Sequence, residues 1–237
     1  MEVAFITEPI VSLGSNKIIA MEALSRFKLR DGMQISPIQI LNMLNSEGKA
    51  RLLNKQIEWI VANKSVFIEN DIICSVNIDE DLCAFIYENR MIQEVIKKNN
   101  FIAFEISETH PNLDINDSVI DFLFDLSEYI WLDDFGSGNA TMSAVINRPY
   151  HAIKLDKNFI QRNVKKHTIS DTIREIKKFV PHVIAEGIEN EVYHNMSIEL
   201  DLWGRQGYYY SSRNVGDYFT ITSDFLTFDF FEECKNR

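Results

Sequence analysis

The sequence IWLDDFGSG at residues 130–138 joins an apolar run to two adjacent carboxylates and a Gly-Ser-Gly loop. The apolar residues suit a buried strand, and the glycines can adopt backbone conformations that side chains forbid. Neighbouring residues on a strand point to opposite faces, so Asp133 and Asp134 cannot both reach water if the strand is buried. Because unpaired buried carboxylates are very costly, either a divalent cation balances the pair or the pair lies in an acidic surface turn.

The composition bounds the class of protein. With 237 residues the chain is long enough for one large domain or two small ones, and an apolar fraction of 46% provides for a sizeable core. The net charge of −11 argues against a nucleic-acid polymer as partner, since that affinity depends on many contacts of Lys and Arg with phosphates. A small phosphate ligand is compatible with this charge if metal ions or a few local cations screen the acidic surroundings.

Three features predict a cytoplasmic protein that does not interact with a membrane. The longest apolar segment, at about residues 119–132, is interrupted by acidic residues, so no transmembrane helix is expected. The N-terminus carries no basic segment, which argues against a cleaved signal peptide. Cys74, Cys83 and Cys234 are an odd number without a Cys-x-x-Cys pair, which is typical of reduced thiols.

The order of apolar runs and helical patterns predicts an α/β fold. Strands at residues 3–13 and 17–27 are expected to flank a turn at residues 14–16. A helix is expected to begin at Ser36-Pro37 and to end at Gly48. Further strands are predicted at about residues 72–78, 101–106, 129–132, 152–155 and 183–185. Further helices are predicted at about residues 51–69, 79–98, 117–128, 140–146, 157–179, 191–200 and 223–234.

Strands that alternate with helices indicate parallel βαβ units. No linker rich in Pro or Ser, charge block or low-complexity tract divides the sequence, so residues 1–237 are predicted to form a single domain. The strand number and length suit a (β/α)8 barrel, whose usual size is about 250 residues. A doubly wound open sheet is the alternative, but Thr141 stands where its phosphate-binding fingerprint requires a third glycine.

Polar residues follow nearly every apolar run, at intervals of about one βα unit. They are Glu22, Asn77, Glu105, Asp133 with Asp134, Lys154, Glu186 and Gln206. Since the carboxyl ends of barrel strands converge on one mouth, these side chains are expected to form one site. Five carboxylates and an Asn carbonyl suit Mg²⁺ or Mn²⁺ rather than zinc or copper. The regular spacing therefore favours a metal site over the acidic surface turn.

These residue types point to metal-assisted hydrolysis. One Asp can bridge two metal ions, and such a site activates water and stabilises a leaving alkoxide in phosphodiester hydrolysis. Lys154 either orients that water or pairs with a neighbouring carboxylate such as Asp156. The sequence contains no kinase His-Arg-Asp loop and no Gly-x-Ser-x-Gly nucleophile elbow. The tyrosines at residues 208–210 either stack on a base or pack at the core and rim of the last strands.

Seven motifs, in this order, resemble those of the EAL-domain phosphodiesterases of cyclic di-GMP. The motifs are Met21-Glu22-Ala23-Leu24-Ser25-Arg26, Ser75-Val76-Asn77, Phe104-Glu105-Ile106-Ser107-Glu108, Asp133-Asp134-Phe135-Gly136-Ser137-Gly138, Ile153-Lys154-Leu155-Asp156, Ala185-Glu186-Gly187-Ile188-Glu189 and Gln206-Gly207-Tyr208. The resemblance spans nearly the whole chain. It implies a TIM-like barrel with an atypical antiparallel first strand, which hydrolyses cyclic di-GMP to linear 5′-pGpG with Mg²⁺ or Mn²⁺. It also implies a stand-alone homodimeric enzyme that lowers the level of a second messenger controlling motility, adhesion or biofilm.

The resemblance also implies a role for each matching residue. One metal would be held by Glu22, Asn77, Glu105 and Asp133, and the second by Asp133, Asp134 and Glu186. Lys154 would contact the attacking water, which makes Lys154, Glu186, Asp133 and Glu22 the implied catalytic residues. The ligand would contact Leu24, Arg26, Asp156 and Gln206. Glu108 would brace the loop at residues 135–139, which in this family lies near the dimer interface and couples assembly to metal binding.

Two positions depart from the family pattern. Glu8 precedes Pro9-Ile10 where the family usually has Gln, which places another acid near the mouth. Residues 211–214, Ser-Ser-Arg-Asn, replace the usual Ser-x-Pro, so Arg213 and Asn214 change the last loop. Neither departure removes a metal ligand. The alternatives are a non-catalytic EAL-like module that binds the dinucleotide or a protein, and an unrelated metal-dependent barrel enzyme such as an aldolase.

Overall fold

The structure is a computed structural model that describes residues 1–113, 115–138, 142–163, 168–211 and 221–227. The strands are β1 (Glu2–Ser12), β2 (Ile18–Lys28), β3 (Gln34–Ile35), β4 (Ile73–Ile78), β5 (Ile102–Ser107), β6 (Ile130–Phe135), β7 (Ala152–Leu155), β8 (His182–Ala185), β9 (Gly204–Gln206) and β10 (Leu226–Thr227). The helices are α1 (Pro37–Met43), α2 (Ser46–Ala62), α3 (Lys64–Asn70), α4 (Glu80–Glu88), α5 (Arg90–Lys98), α6 (Ser118–Leu126), α7 (Met142–Asn147), α8 (Lys157–Asn163), α9 (Thr168–Lys177), α10 (Glu191–Glu199) and α11 (Tyr208–Ser211).

Strands β1, β2 and β4 to β9 close into a barrel, which confirms the TIM-like fold. Strand β1 is antiparallel to both of its barrel neighbours, β2 and β9, whereas the pairs from β2–β4 through β8–β9 are parallel. The short strands β3 and β10 pair with β2 and β1 outside this ring. The closed sheet excludes the doubly wound alternative and confirms the atypical antiparallel first strand.

The β1–β2 hairpin forms as the sequence predicts. Its turn contains Asn16 with a φ of 55°, a left-handed conformation that Asn tolerates better than most residues. The backbone N–H of Ser12 donates to the carbonyl of Lys17 at 2.8 Å and closes the hairpin. The tight turn makes β1 antiparallel, because only a long crossover connection can join parallel neighbours.

The inner layer of the barrel has an apolar floor. The floor residues that lie on barrel strands and are fully buried are Ile10, Ala20, Ala103, Trp131, Ala152 and Ile184. Because side chains alternate between faces along a strand, the inward residue two positions further along each parallel strand lies one layer closer to the mouth. The apolar floor therefore places the next layer of side chains at the carboxyl ends of the strands.

The prediction of one helix from Ser36 to Gly48 is wrong about where that helix ends. Helix α1 begins with Pro37 at its first turn but ends at Met43, and the Ser36 side chain makes no capping hydrogen bond. The side chain of Asn45 accepts a hydrogen bond from the N–H of Gly48 at 2.9 Å, so Asn45 begins a new helix there. The glycine therefore lies inside the first turn of α2, where Asn45 is a strong N-cap.

Two of the three long predicted helices are divided in the described structure. The pattern at residues 51–69 is interrupted at Asn63, between α2 and α3. The pattern at residues 79–98 is interrupted at Asn89, whose side chain accepts hydrogen bonds from the N–H groups of Met91 and Ile92 and starts α5. The pattern at residues 157–179 contains α8 and α9, and residues 164–167 between them lie outside the described part of the chain.

The predicted closing helix at residues 223–234 is wrong in its described part. Leu226 and Thr227 form β10 and pair with the start of β1, with Thr227 opposite Glu2. Residues 228–234, including Cys234, lie outside the described residues, as do Arg213 and Asn214 of the last loop.

Within the described residues, no helix combines the length and apolar character that a membrane crossing requires. Cys74 and Cys83 are buried free thiols.

Candidate active site

The site lies in the layer directly above the apolar floor. Five of its side chains each stand two residues after a floor residue, four of them on the same strand and the fifth, Glu186, directly after the end of β8. The floor residues are Ala20, Ala103, Trp131, Ala152 and Ile184, and the side chains above them are Glu22, Glu105, Asp133, Lys154 and Glu186. The structure thus brings together in one layer the polar residues that the sequence places at the ends of separate strands.

A local irregularity in β6 allows both adjacent aspartates to face the mouth. The register between β6 and β7 shifts between Leu132 and Phe135, and Asp134 has a φ of 58°, which is uncommon for a residue with a side chain. Carboxylate oxygens of Asp133, Asp134 and Glu186 consequently lie within 4.8 Å of one another. Neighbouring side chains on a regular strand point to opposite faces, but Asp133 and Asp134 both face the site in which metal ions are expected.

Lys154 lies at the centre of the site and is 1% exposed. Its Nζ lies 2.7 Å from Glu105 Oε2, 2.7 Å from Glu186 Oε1, 3.2 Å from Asp133 Oδ1 and 3.3 Å from Glu22 Oε2. Burial alone would lower the pKa of Lys154, but the surrounding carboxylates raise it well above its ordinary value. Lys154 is therefore a buried cation held by four acids.

The alternative partner of Lys154, Asp156, has a different contact. Asp156 Oδ1 accepts a hydrogen bond at 2.8 Å from the N–H of Phe159 in the first turn of α8, while Lys154 forms its ion pairs with the four acids of the site. The helix cap accounts for the burial of Asp156, which is 8% exposed. Contact of Asp156 with a ligand stays a prediction.

Glu22 is the most thoroughly hydrogen-bonded acid of the site. Asn77 Nδ2 donates to its Oε1 at 2.7 Å, and Gln206 Nε2 donates to its Oε2 at 2.6 Å. Burial alone would raise the pKa of Glu22, but the charge of Lys154 and these hydrogen bonds lower it below its ordinary value. Glu22 is therefore ionised at neutral pH and ready to hold a cation.

The other acids of the site have raised pKa values because they are buried and one lysine does not balance all of their charges. Burial raises the pKa of Glu186 to about 8, against the opposing effect of Lys154. Burial and the neighbouring charge of Asp133 raise the pKa of Asp134 to about 6. Burial and the charge of Glu22 raise the pKa of Glu105 well above its ordinary value. A divalent cation would favour the ionised form of each group.

The donor set fits divalent metal ions. The five clustered carboxylates and the amide carbonyl of Asn77 offer oxygen ligands, and oxygen ligands suit hard cations. Glu105 Oε1 is buried and accepts no hydrogen bond from the described residues. A buried carboxylate oxygen without a donor is costly, and a metal ion would satisfy it. The site therefore needs more positive charge than Lys154 supplies.

Glu108 holds the loop that follows Asp134. Its carboxylate accepts hydrogen bonds from the N–H of Gly136 at 2.9 Å, from the N–H of Gly138 at 2.8 Å and from the Ser137 hydroxyl. Gly136 has a φ of 95°, and a Cβ there would lie 2.5 Å from the Phe159 ring. The predicted bracing contact is thus present over residues 136–138, while residue 139 lies outside the described chain.

A cavity of about 540 Å³ opens beside the acidic cluster. Leu24, Arg26, Asn77 and Glu105 are among its lining residues, so two predicted ligand contacts and two predicted metal ligands share one space. Sequence reasoning missed Lys49, which also lines this cavity and lies 2.5 Å from carboxylate oxygens of both Asp79 and Asp81. Lys49 follows no strand and belongs to no motif, so no sequence pattern indicates it.

The tyrosines after β9 divide between core and surface. Tyr210 is 2% exposed and its hydroxyl lies 3.0 Å from His194 Nδ1, and Tyr209 packs against the main core. Tyr208 is 70% exposed. Two of the three tyrosines are therefore packing residues, and base stacking remains open only for Tyr208.

Comparison with known proteins agrees with this fold. The sequence model of a family described as EAL domain matches residues 2–213. The chain is 26% identical over 221 residues to "Signaling protein YkoW" of Bacillus subtilis (strain 168), which covers 86% of this chain but 27% of that protein. It is 25% identical over 194 residues to "Cyclic di-GMP phosphodiesterase PdeH" of Escherichia coli (strain K12), covering 79% of this chain and 74% of PdeH.

A third relative carries a different kind of name. The chain is 25% identical over 178 residues to "Putative anti-FlhC(2)FlhD(4) factor YdiV" of Escherichia coli (strain K12), covering 73% of this chain and 75% of YdiV. The crystal structure of the "EAL-like domain protein YdiV" superimposes with a TM-score of 0.78 at 22% identity, covering 86% of this chain and 89% of that chain. This likeness shows the shared fold.

Proposed function

This chain belongs to the EAL domain family, and we propose that it is a metal-dependent phosphodiesterase that hydrolyses cyclic di-GMP to linear 5′-pGpG. The observation that carries the proposal is that four of the predicted metal-binding acids surround Lys154 within one layer of the barrel. Asn77 donates a hydrogen bond to one of these acids, and the carboxylate of Asp134 lies close to two of them. A chain that had lost this activity would be expected to lack some of these costly buried acids. The predicted set consists of Glu22, Asn77, Glu105, Asp133, Asp134, Lys154 and Glu186.

Each residue has a proposed task. Glu22, Asn77, Glu105 and Asp133 would hold one Mg²⁺ or Mn²⁺, and Asp133, Asp134 and Glu186 would hold a second. When bound, the ions would supply a water of lowered pKa and neutralise charge on the phosphate. Lys154 would hold the attacking water by a hydrogen bond, because its raised pKa keeps it a donor. The ligand contacts would be Leu24, Arg26, Asp156 and Gln206.

The test is turnover of cyclic di-GMP by the purified chain. We expect conversion to linear 5′-pGpG with Mg²⁺ or Mn²⁺ and none with EDTA, and we expect Glu22→Ala to abolish turnover. Glu175→Ala is a matched control, because it removes an acid that forms an exposed ion pair with Lys178, on the helical face of the barrel. Metal-replete protein that binds the dinucleotide without hydrolysing it would refute the enzyme proposal.

That last outcome would support a second candidate function, a non-catalytic module that binds cyclic di-GMP or a protein partner. The name of YdiV refers to a protein target rather than to a reaction, and this relative matches the chain over 75% of its own length. The two functions differ in one measurement. Binding with turnover indicates the phosphodiesterase, and binding without turnover indicates the module.

We further propose that residues 1–237 act as a single domain in the cytoplasm and form a homodimer. The Glu108-braced loop at residues 136–138, with the unusual backbone at Asp134 beside it, supports a link between assembly and metal binding. Light scattering with and without Mg²⁺ tests the assembly. A chain that is monomeric in both conditions at micromolar concentration would refute the dimer. In a cell, this activity would lower cyclic di-GMP and so alter motility, adhesion or biofilm.

A further inference from the structure

Glu8 stands in the same layer of the barrel as the proposed metal ligands. On the antiparallel β1–β2 ladder, Ile10 lies opposite Ala20 and Glu8 lies opposite Glu22. Directly opposed residues of an antiparallel pair point to the same face of the sheet. Since Ile10 and Ala20 belong to the apolar floor, Glu8 faces the inside of the barrel mouth beside Glu22.

Glu8 is bound to an arginine rather than to the central lysine. Arg26 Nη2 lies 2.9 Å from Glu8 Oε1, and Arg26 Nη1 donates to the carbonyl of Ser25 at 3.1 Å. Arg26 and Glu22 are four residues apart on β2, about 13 Å along an extended strand. The Arg26 and Glu8 side chains therefore extend toward each other along the two strands to make this contact.

This ion pair lies where an anionic ligand would enter. Arg26 lines the cavity beside the acidic cluster together with Leu24. The Arg26 and Glu8 side chains are 36% and 39% exposed, so solvent and ligand can reach both. A phosphate that binds the Arg26 guanidinium must compete with a carboxylate of the chain itself.

We propose that Glu8 limits the affinity of the site for phosphate-containing ligands by occupying Arg26. This inference rests on the proposed function, because it takes the ligand to be cyclic di-GMP. The dinucleotide must displace Glu8 from Arg26 and then lie beside a carboxylate of like charge. Replacement of Glu8 by the neutral, equally long Gln removes both penalties while keeping a side chain that can hydrogen-bond.

The expected effect is moderate because the pair is partly exposed. Such pairs contribute up to about 1 kcal/mol, which corresponds to roughly a fivefold change in a binding constant. We expect Glu8→Gln to lower KM for cyclic di-GMP about three- to fivefold with kcat unchanged. Salt screens an exposed ion pair, so we also expect the advantage of Glu8→Gln to shrink between 50 mM and 500 mM NaCl.

Two further variants make the test specific. Glu2→Gln is the matched control, because Glu2 pairs with Lys28 at 3.0 Å across the same two strands, six rungs from the Glu22 position. We expect its KM to equal that of the wild type. Arg26→Met removes the guanidinium, and in this background Glu8→Gln is expected to have no effect on KM. The four chains Glu8→Gln, Arg26→Met, the double variant and the wild type form one double-mutant cycle.

The outcomes separate this inference from the function on which it rests. A KM that is unchanged or higher in Glu8→Gln, or an equal decrease in the Arg26→Met background, would overturn the role of Glu8. A lower melting temperature of Glu8→Gln with unchanged KM would show a structural role only and would also overturn it. If the wild-type chain neither binds nor hydrolyses cyclic di-GMP, the proposed function fails, and this inference fails with it.

Discussion

Replacement of Lys154 by Met should destabilise the metal-free protein mainly at neutral and alkaline pH. Met keeps most of the aliphatic length of Lys but removes the only positive charge that contacts the four acids of the site in the described structure. Lys154 is 1% exposed and its Nζ lies within 3.3 Å of carboxylate oxygens from Glu22, Glu105, Asp133 and Glu186. The variant leaves these acids buried without their cation.

The expected loss follows from what is known of buried ion pairs. Removal of one partner commonly costs about 3–5 kcal/mol, because the other charge stays buried and uncompensated. In chains of 150–250 residues, 1 kcal/mol corresponds to a shift of about 2–4 °C in the melting temperature. We therefore expect a decrease of roughly 6–20 °C at pH 8 in EDTA.

The pH dependence shows whether charge is the cause. A carboxyl group whose folded-state pKa is raised holds its proton in the native state at pH values where the unfolded chain has released it. The free energy of unfolding therefore falls as pH rises from the unfolded pKa, about 4.5, to the folded pKa, which for Glu186 is about 8 even with Lys154 present. Loss of Lys154 raises these pKa values further, so the deficit of Lys154→Met should be small at pH 5 and large at pH 8.

Thermal melts with and without divalent ions complete this test. Mg²⁺ or Mn²⁺ should raise the melting temperature of Lys154→Met by more than that of the wild type, since a metal ion replaces the missing charge. Lys178→Met is the matched control, because Lys178 is 56% exposed and pairs with Glu175 on the surface. An equal deficit at pH 5 and pH 8, with no response to metal, would show that Lys154 acts through packing and would refute this electrostatic account.

Three further predictions concern the loop and the metals. Glu108→Gln should weaken metal affinity at least severalfold, because its amide NH₂ would face the N–H group of either Gly136 or Gly138, and one of these hydrogen bonds would be lost; calorimetric titration with Mn²⁺ checks this, and unchanged affinity would contradict it. Stabilisation by Mg²⁺ should be larger at pH 8 than at pH 6, because protons compete for Glu186 and Asp134, with pKa values of about 8 and 6; equal melting shifts at both pH values would exclude this competition. Ca²⁺ should inhibit turnover of cyclic di-GMP, since its longer and looser coordination suits a compact site poorly; full activity in Ca²⁺ would count against the proposed geometry.

The barrel could be predicted from the sequence because its signal is long-range and repeated. Strands β4 to β8 appear as apolar runs at nearly the residues where the structure has them. The helix boundaries at Asn63 and Asn89 could not be predicted from periodicity, because apolar spacing continues across both. At Asn89, a side-chain cap outweighs the pattern. The antiparallel direction of β1 followed only from the resemblance to the family and from the hairpin.

The composition of the site was also predictable, whereas its geometry was not. The sequence shows a polar residue at the carboxyl end of nearly every strand. Because side chains alternate between the two faces of a strand, the position of such a residue determines which layer of the barrel interior it occupies. The bulge that turns Asp134 beside Asp133 depends on a positive φ at a residue that is not glycine, which no sequence pattern indicates. The Glu8–Arg26 pair depends on the register of an antiparallel ladder, so Glu8 could be placed near the mouth but not against its partner.

The energetics of the acidic cluster favour the enzyme over the binding module. Burial, together with repulsion among the clustered carboxylates, raises the pKa values of Glu105, Asp134 and Glu186, and each raised value is free energy lost from the metal-free fold at neutral pH. A protein that only presents a surface to a partner gains nothing from this penalty, since apolar residues of similar volume would fill the same layer more stably. Local rules of stability are broken mostly where function requires it. The cost would be recovered when divalent cations bind, which supports the proposal that this chain binds metal ions as part of its activity.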